Sequence, residues 1–537
     1  MIPFVGNRRR GWLLAAGVAV LALGQCGGAF AMFTDSTTAG PGSFQTGTLP
    51  IPAGLAVSNG GCSGSPTQTN VASSWTGSSA LDASGNYLVA GYSVLRSPSS
   101  SGPYSSAGTV TGSPPSTTYT DTSPSGAAAP LAFVASGSGS NALSIDTSTY
   151  ATATVNLGGA VGKEPNALQV TPDGTKLIAA EGAAHQVQII STTTGAVEST
   201  VAIPTVNGTA STPVAVAVSP DGSTAWIVDA ANDLVYPLRL ATATLGGAIT
   251  VGAQGDPSAA VVTPNGVQVF VADYGSHQVS AIDTSTDAVT TIAVGGTTGI
   301  PIALAVTPNS AHVYVADEGN SQIDDITTSS DTVSATIKVP SLTDSDGYVP
   351  NGGDPNILAV TPNGAKVYVA SFGDGLGGSV EDITTSNDAV ATTFALPPGG
   401  VLGPAAPNAL ALTPNGCELY VNDYDNNKVD LIDVSTDTLA ASTTAVGQTG
   451  DPTGMAVTPN GAAVYVANFY DPSVSVIATS SYTVTRTVGM AGGSAPYAIA
   501  VAPSTYYYEV AGTHGGWTSG PSSPAVYTLG WNVGGWQ

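Results

Sequence analysis

The sequence predicts an all-β chain dominated by a β-propeller of eight blades, with seven as the alternative. Three observations predict it. A proline-centred turn recurs seven times, successive copies lie 44 to 54 residues apart, and each copy belongs to a unit of four short strands without helical periodicity. The turn reads Val-Thr-Pro-Asp-Gly at 170–174, Val-Ser-Pro-Asp-Gly at 218–222 and Val-Thr-Pro-Asn-Gly at 262–266. It returns as Val-Thr-Pro-Asn-Ser at 306–310, and with Asn-Gly at 360–364, 412–416 and 457–461.

One unit shows how the strands are read. Residues 258–263 are a short apolar run. Pro264-Asn265-Gly266 is a turn, because proline presets φ and Asn-Gly tolerates positive φ. Residues 267–273 alternate, with Val269 and Val271 on one side, and Tyr274-Gly275-Ser276 turns the chain. Residues 278–284 alternate again, Ser285-Thr286-Asp287 turns, and 288–294 form the last strand. A four-stranded unit of this length is a propeller blade.

Whole units begin near Pro165, Pro213, Pro257, Pro301, Pro355, Pro407 and Pro452. Two fragments remain. Residues 131–135, 142–146 and 151–157 read as strands two, three and four of a blade, and 497–501 followed by Ala502-Pro503 read as strand one. Together they complete an eighth blade, stitched from both ends so that no edge stays open. Residues 131–503 then give about 47 residues per blade. With seven blades the fragments would lie outside the ring.

Val313-Tyr314-Val315-Ala316, Val367-Tyr368-Val369-Ala370 and Val464-Tyr465-Val466-Ala467-Asn468 resemble the YVTN-type β-propeller repeat. Ile282-Asp283-Thr284 and Ile432-Asp433-Val434 match its third-strand ending. The resemblance implies the fold and selects no activity, since propellers host many.

A second module is split. Leu55-Ala56-Val57, Trp75-Thr76, residues 91–97, Gly102-Pro103-Tyr104 and residues 117–121 resemble the first strands of a fibronectin type III domain. The last two strands are missing before the propeller and recur after it. Residues 505–511 look like strand F, residues 517–522 like the loop into strand G, and 525–529 like strand G. The two pieces, 51–125 and 504–529, make up about one sandwich domain of roughly 100 residues. The expected organisation is a propeller, 126–503, inserted between strands E and F of this sandwich. Insertion suits a host whose chain ends lie close together.

Residues 1–31 read as an export signal. Arg8-Arg9-Arg10 is the basic region, 11–23 the apolar stretch, and Ala29-Phe30-Ala31 the cleavage site. The apolar stretch is short for a bilayer span, so no stable span is expected after cleavage. Met32-Phe33-Thr34-Asp35 and Gly47-Thr48-Leu49 resemble the start of exported bacterial proteins of the camelysin and biofilm-matrix type. The resemblance implies a secreted or wall-associated bacterial protein, with 32–50 as a leading segment and 530–537 as a tail.

Only 9% of residues are charged, 42% are apolar, and the formal charge is −25. That balance excludes a general nucleic-acid binder, which needs a basic footprint. Cys62 and Cys417 lie in different modules and are expected not to pair, so stability must come from β packing and ring closure.

Strands alternate direction, so the loops between blades share a face with the loops joining strands two and three. The proline turns occupy the opposite face. As the family resemblance implies, the first face binds ligands. Here it gathers Asp256, Asp354 and Asp451 with Asp273-Tyr274, Asp317, Phe372, Asp374, Asp423-Tyr424 and Phe469-Tyr470. Carboxylates suit calcium, and exposed aromatic rings suit sugars or cationic groups. Asp and Asn are also ordinary turn residues, and this simpler reading is preferred for the acids.

No catalytic residues are assigned. His185 and His277 occupy equivalent repeat positions, which points to shared structure, and no serine-hydrolase, zincin or phosphate-loop motif is present. The function expected is a secreted or cell-surface, non-catalytic binding, adhesion or matrix protein, whose partner is a glycan, wall component or protein. A lactonase-like hydrolase and a self-assembling surface-layer component are the alternatives. A hydrolase would need an acid, a histidine and an arginine converging at the central channel.

Overall fold

A computed structural model describes residues 53–59, 71–76, 89, 91–97, 104–111, 115–121, 130–136, 141–157, 165–252, 254–340, 354–372, 377–397, 405–442, 446–447, 452–490, 495–514, 517–518 and 525–529. The signal segment 1–31, the segment 32–50 and the tail 530–537 lie outside these residues. Among the described residues there is no α-helix, and no helix is long and apolar enough to cross a membrane. The chain divides into two compact units.

The larger unit is a β-propeller. Among the described residues it holds eight antiparallel sheets, seven of four strands and one whose outer strand is broken into Thr244–Leu245 and Ile249–Thr250. In the unit that opens with Pro257, the strands are Pro257–Val262, Gln268–Asp273, Gln278–Asp283 and Val289–Ala293, within a residue or two of the sequence reading. One sheet is stitched. Strand Pro496–Val501 pairs with Leu131–Ser136, matching Ile499 to Val134 and Ala500 to Phe133. The first strands neighbour one another in a circuit that runs from Pro165–Val170 through each unit to Pro496–Val501 and back.

Cores form between neighbouring sheets rather than within one. Ile178, Val187 and Ile189 pack with Val216, Ile227 and Leu238 of the next sheet. The stitched sheet does the same on both sides. Phe133 and Ala502 pack with Leu177 and Ala179, while Ala132 and Ile145 pack with Tyr465 and Val474. The second strands supply the most deeply buried residues because both of their faces are covered. Val313, Tyr314, Val315 and Ala316 are all 0% exposed, and each such valine contributes about 1.5–3 kcal/mol.

The proline turns interlock around the ring. Within each, the Thr or Ser hydroxyl bonds the Asn or Asp side chain, as Thr361 Oγ1 does to Asn363 Oδ1 at 2.8 Å. That oxygen also accepts the N–H two residues on. The glycine sits at positive φ and lies against the preceding unit's proline, as Gly364 does on Pro308 and Gly416 on Pro362. Gly174 lies on Pro503, so the degenerate copy Ala502-Pro503 supplies the stitched sheet's proline. Ser310 replaces glycine at φ 61°, and its hydroxyl accepts the Asn265 N–H at 2.9 Å.

The smaller unit has two sheets. One pairs Ala53–Asn59, Val71–Thr76 and Thr118–Asp121. The other orders Ser105–Thr111, Gly91–Ser97, Ser504–His514 and Trp517–Thr518, with Ala525–Leu529 also on Ser504–His514. Segments from both sides of the propeller thus share one sheet, pairing Val94 with Val510. Trp75 of the first sheet meets Tyr92 of the second edge to face, with ring centroids 5.2 Å apart. Trp517-Thr518 is not a plain loop: it pairs back on Thr513 and His514 as a short hairpin.

One cysteine expectation is overturned. Cys417 is disulfide-bonded, with its partner outside the described residues.

Candidate functional site

Each first strand begins at or beside a proline, and opposite that proline stands the last polar residue of strand two. The pairs are Glu181 with Pro165, Asp229 with Pro213, Asp273 with Pro257 and Asp317 with Pro301. Ser371, Asp423, Asn468 and Ser136 complete the series with Pro355, Pro407, Pro452 and Pro496. All of these polar residues are buried. Asp273, Asp317 and Asp423, expected as binding residues of this face, are each 0% exposed and point inward instead.

Three of them share one task. Asp229, Asp317 and Asp423 accept the N–H of Thr212, Ile300 and Ala406 on one carboxylate oxygen, at 2.6, 2.7 and 3.0 Å. Their other oxygens accept the side-chain amides of Asn232, Asn320 and Asn426, each at 2.8 Å. Each carboxylate therefore ties the loop entering its blade to the loop between strands two and three. This confirms that both loop sets lie on one face. Charge-assisted bonds of this kind are about twice as strong as neutral ones.

Asp273 departs from the pattern. The loop that should reach it is held instead by Asp233, which accepts the N–H groups of Gln254, Gly255 and Asp256 at 3.0, 3.0 and 3.1 Å. Ser276 stands where the others have asparagine. Asp273 accepts the Ser280 hydroxyl at 2.6 Å, with the Gly252 N–H also bearing on it, and its other oxygen has no partner. Burial pushes its carboxyl up to about 7, helped by the Asp233 charge. In the unit beginning near Pro355, the carboxyl has moved to strand three. Glu381 is 0% exposed and accepts the hydroxyls of Ser379 and Ser371. Burial pushes it up to about 7 as well.

Above this buried layer the face is aromatic. The residue after each anchor is Tyr274, Phe372, Tyr424 or Phe469 in four units and Glu318 in a fifth. Tyr274 is 44%, Phe372 36% and Tyr470 63% exposed, three of the four most exposed large apolar side chains among the described residues. Tyr424 and Phe469 are half-buried. Phe469 and Tyr470 meet edge to face with centroids 5.1 Å apart. Loops of the first kind contribute the exposed Asp256, and the half-buried Asp354 pairs in register with Phe372. Burial, and then the Asp354 charge, raises the Glu318 carboxyl. Asp374 and Asp451 lie outside the described residues.

Among the described residues no group of three His, Cys, Asp or Glu that could hold a metal ion converges. The three histidines whose side chains are described are committed. His185 and His277, both at positive φ, turn Nδ1 to the backbone carbonyls of Ser211 and Gly299. His312 Nδ1 meets the buried Asp325 at 2.9 Å. Arg486 lies over the Tyr150 ring, 4.6 Å from its centroid.

Sequence reasoning missed the carboxyls of strand three: Asp324, Asp325, Glu381, Asp382 and Asp430, all 0% exposed. A signal was present. Acids stand inside otherwise apolar strands in Gln-Ile-Asp-Asp-Ile-Thr, Ser-Val-Glu-Asp-Ile-Thr and Lys-Val-Asp-Leu-Ile-Asp, at matching repeat positions.

No family model matches the chain, and no curated relative matches it. Solved structures do. Dihydro-heme d1 dehydrogenase NirN in complex with DHE is 15% identical with a TM-score of 0.54, over 69% of this chain and 74% of that one. The β-propeller domain of Myceliophteria thermophila Cps50 (Swd1) is 13% identical with a TM-score of 0.43, over 57% of this chain and 93% of that one. Kuenenia stuttgartiensis hydrazine synthase is 19% identical with a TM-score of 0.43, over 59% of this chain and 95% of that one. At these identities the likeness concerns the fold alone.

Proposed function

We propose that this chain is a secreted or cell-surface, non-catalytic binding protein whose ligand is a carbohydrate. In this reading the eight sheets are the blades of one YVTN-type ring, inserted between strands E and F of a fibronectin type III-like sandwich, and 1–31 is a cleaved export signal. The observation that carries the proposal is the aromatic rim. Tyr274, Phe372, Tyr424, Phe469 and Tyr470 occupy equivalent or adjoining positions in four units, on one face, each next to or one residue beyond a buried polar residue that ends strand two. Large apolar side chains exposed together on a rigid scaffold mark interaction sites.

Sugar rings fit such a surface. The C–H face of a pyranose packs on an aromatic face, while its hydroxyls reach neighbouring carboxylates such as Asp256 and Asp354. The test is a polysaccharide binding screen with residues 32–537, comparing the parent chain with the Phe372→Ala/Tyr470→Ala variant. Saturable binding that the variant weakens at least tenfold supports the reading. Binding that the variant leaves unchanged would remove the rim from the site.

A further inference from the structure

We propose that two buried carboxyls beneath the aromatic rim, Asp273 and Glu381, hold their protons in the folded ring, so that the rim is firm in acid and loosens above neutral pH. The inference rests on the rim being the binding face, and it names the regulation of that face.

The geometry comes first. Asp273 immediately precedes the exposed Tyr274, and Glu381 accepts the hydroxyl of Ser371, which immediately precedes the exposed Phe372. Both acids are 0% exposed. The groups around Asp273 are Ser280 from the adjoining strand, Gly252 from the entering loop, whose N–H donates to Ser280 Oγ at 3.4 Å, and Asp233 from the preceding unit. Asp233 is a like charge. His277, four residues on, is turned to the Gly299 carbonyl. Glu381 meets the hydroxyls of Ser371 and Ser379 and its own backbone N–H, and no charge bears on it. Among the described residues no cation pairs with either acid. Lys366 is spent on Asp382 and Asp437, and Lys428 lies between Asp423 and Asp430.

A buried carboxylate without a cation or a full set of donors is costly, whereas the neutral acid is not. Serine hydroxyls donate or accept, so Ser371 and Ser379 serve a protonated Glu381 equally well. The unfolded chain releases these protons near pH 4, and burial delays release to about 7 in the folded state. Between these limits the folded state holds protons that the unfolded state has lost. Stability is therefore fully present below about pH 4 and declines as pH rises toward 7. Ionised Asp273 would face Asp233, which holds the loop 254–256, and that places the loosening at the rim.

The test measures thermal melting and amide hydrogen exchange, corrected for intrinsic rates, from pH 5 to pH 8 on the parent chain and on the Asp273→Asn/Glu381→Gln variant. The parent Tm should fall by about 5 °C across this range, and exchange at Tyr274–Ser276 and 254–256 should quicken. The variant should lose most of both changes. Should the double variant not fold, Glu381→Gln alone should remove about half of the Tm slope. Equal slopes in parent and variant would overturn the proposal. A flattened slope in a protein that binds no polysaccharide at either pH would support the proton-linked rim and remove the carbohydrate reading instead.

Discussion

The two faces of the ring use the same backbone and treat their side chains differently. On the turn face the seven whole units repeat one device: a hydroxyl bonded to Asn or Asp, a proline, and a left-handed residue, which in five of them rests on the neighbour's proline. On the rim face the backbone also repeats, yet the anchor is Glu181, Asp229, Asp273, Asp317, Ser371, Asp423, Asn468 or Ser136. The residue after it ranges from glycine to tyrosine. Uniform chemistry suits a joint that must be made at every step of the circuit. Variation at constant geometry is what a recognition surface needs. The turn face does carry a cleft of about 300 Å³ between two units, near Asp221, Trp226 and Asn265. Its walls are mostly the turn residues themselves.

The sharpest way to break this comparison lies within the rim. Asp317→Ala leaves the Ile300 N–H and the Asn320 amide without their acceptor, so it should cost about 3 kcal/mol in urea unfolding. Asp273→Ala at the equivalent place loses one hydroxyl donor and should cost about 1 kcal/mol. Equal costs would mean that the loop held by Asp233 does not matter.

On the turn face, Gly364→Ala forces a Cβ into a backbone at φ 70°, 3.2 Å from Pro308 Cδ. It should cost about 1.5 kcal/mol by the same measurement. Thr361→Val removes the hydroxyl that bonds Asn363 and the Lys366 carbonyl, and should cost about 1 kcal/mol. Tyr470→Ala, at 63% exposure, should change stability by less than about 0.5 kcal/mol. A large loss there would make the ring a structural residue rather than a contact surface.

Much of this contrast was legible in the sequence. Pro-Asn-Gly has one conformational meaning, and a short β-branched and aromatic run such as Val313-Tyr314-Val315 between turn signals reads as a strand, so the blades and the stitched sheet could be read from spacing. The distant pairing of 91–97 with 504–514 was readable as two incomplete halves. Burial of the acids was not, because aspartate at the end of a strand serves equally as a solvated turn residue or as an internal anchor. The cue was Asp-x-x-Asn, present at Asp229, Asp317 and Asp423 and broken at Asp273 by Ser276. Glu381 was harder still: its partner Ser371 is ten residues away and became meaningful only once the strands were in register.

The central claim is that the aromatic rim binds a carbohydrate. The most direct measurement is affinity for wall and matrix polysaccharides by pull-down and calorimetry, with Phe372→Ala/Tyr470→Ala beside the parent at pH 5. The account predicts saturable binding by the parent, at least tenfold weaker binding by the variant, and unchanged melting. Absence of polysaccharide binding by a folded parent, or binding that the variant preserves in full, would contradict it.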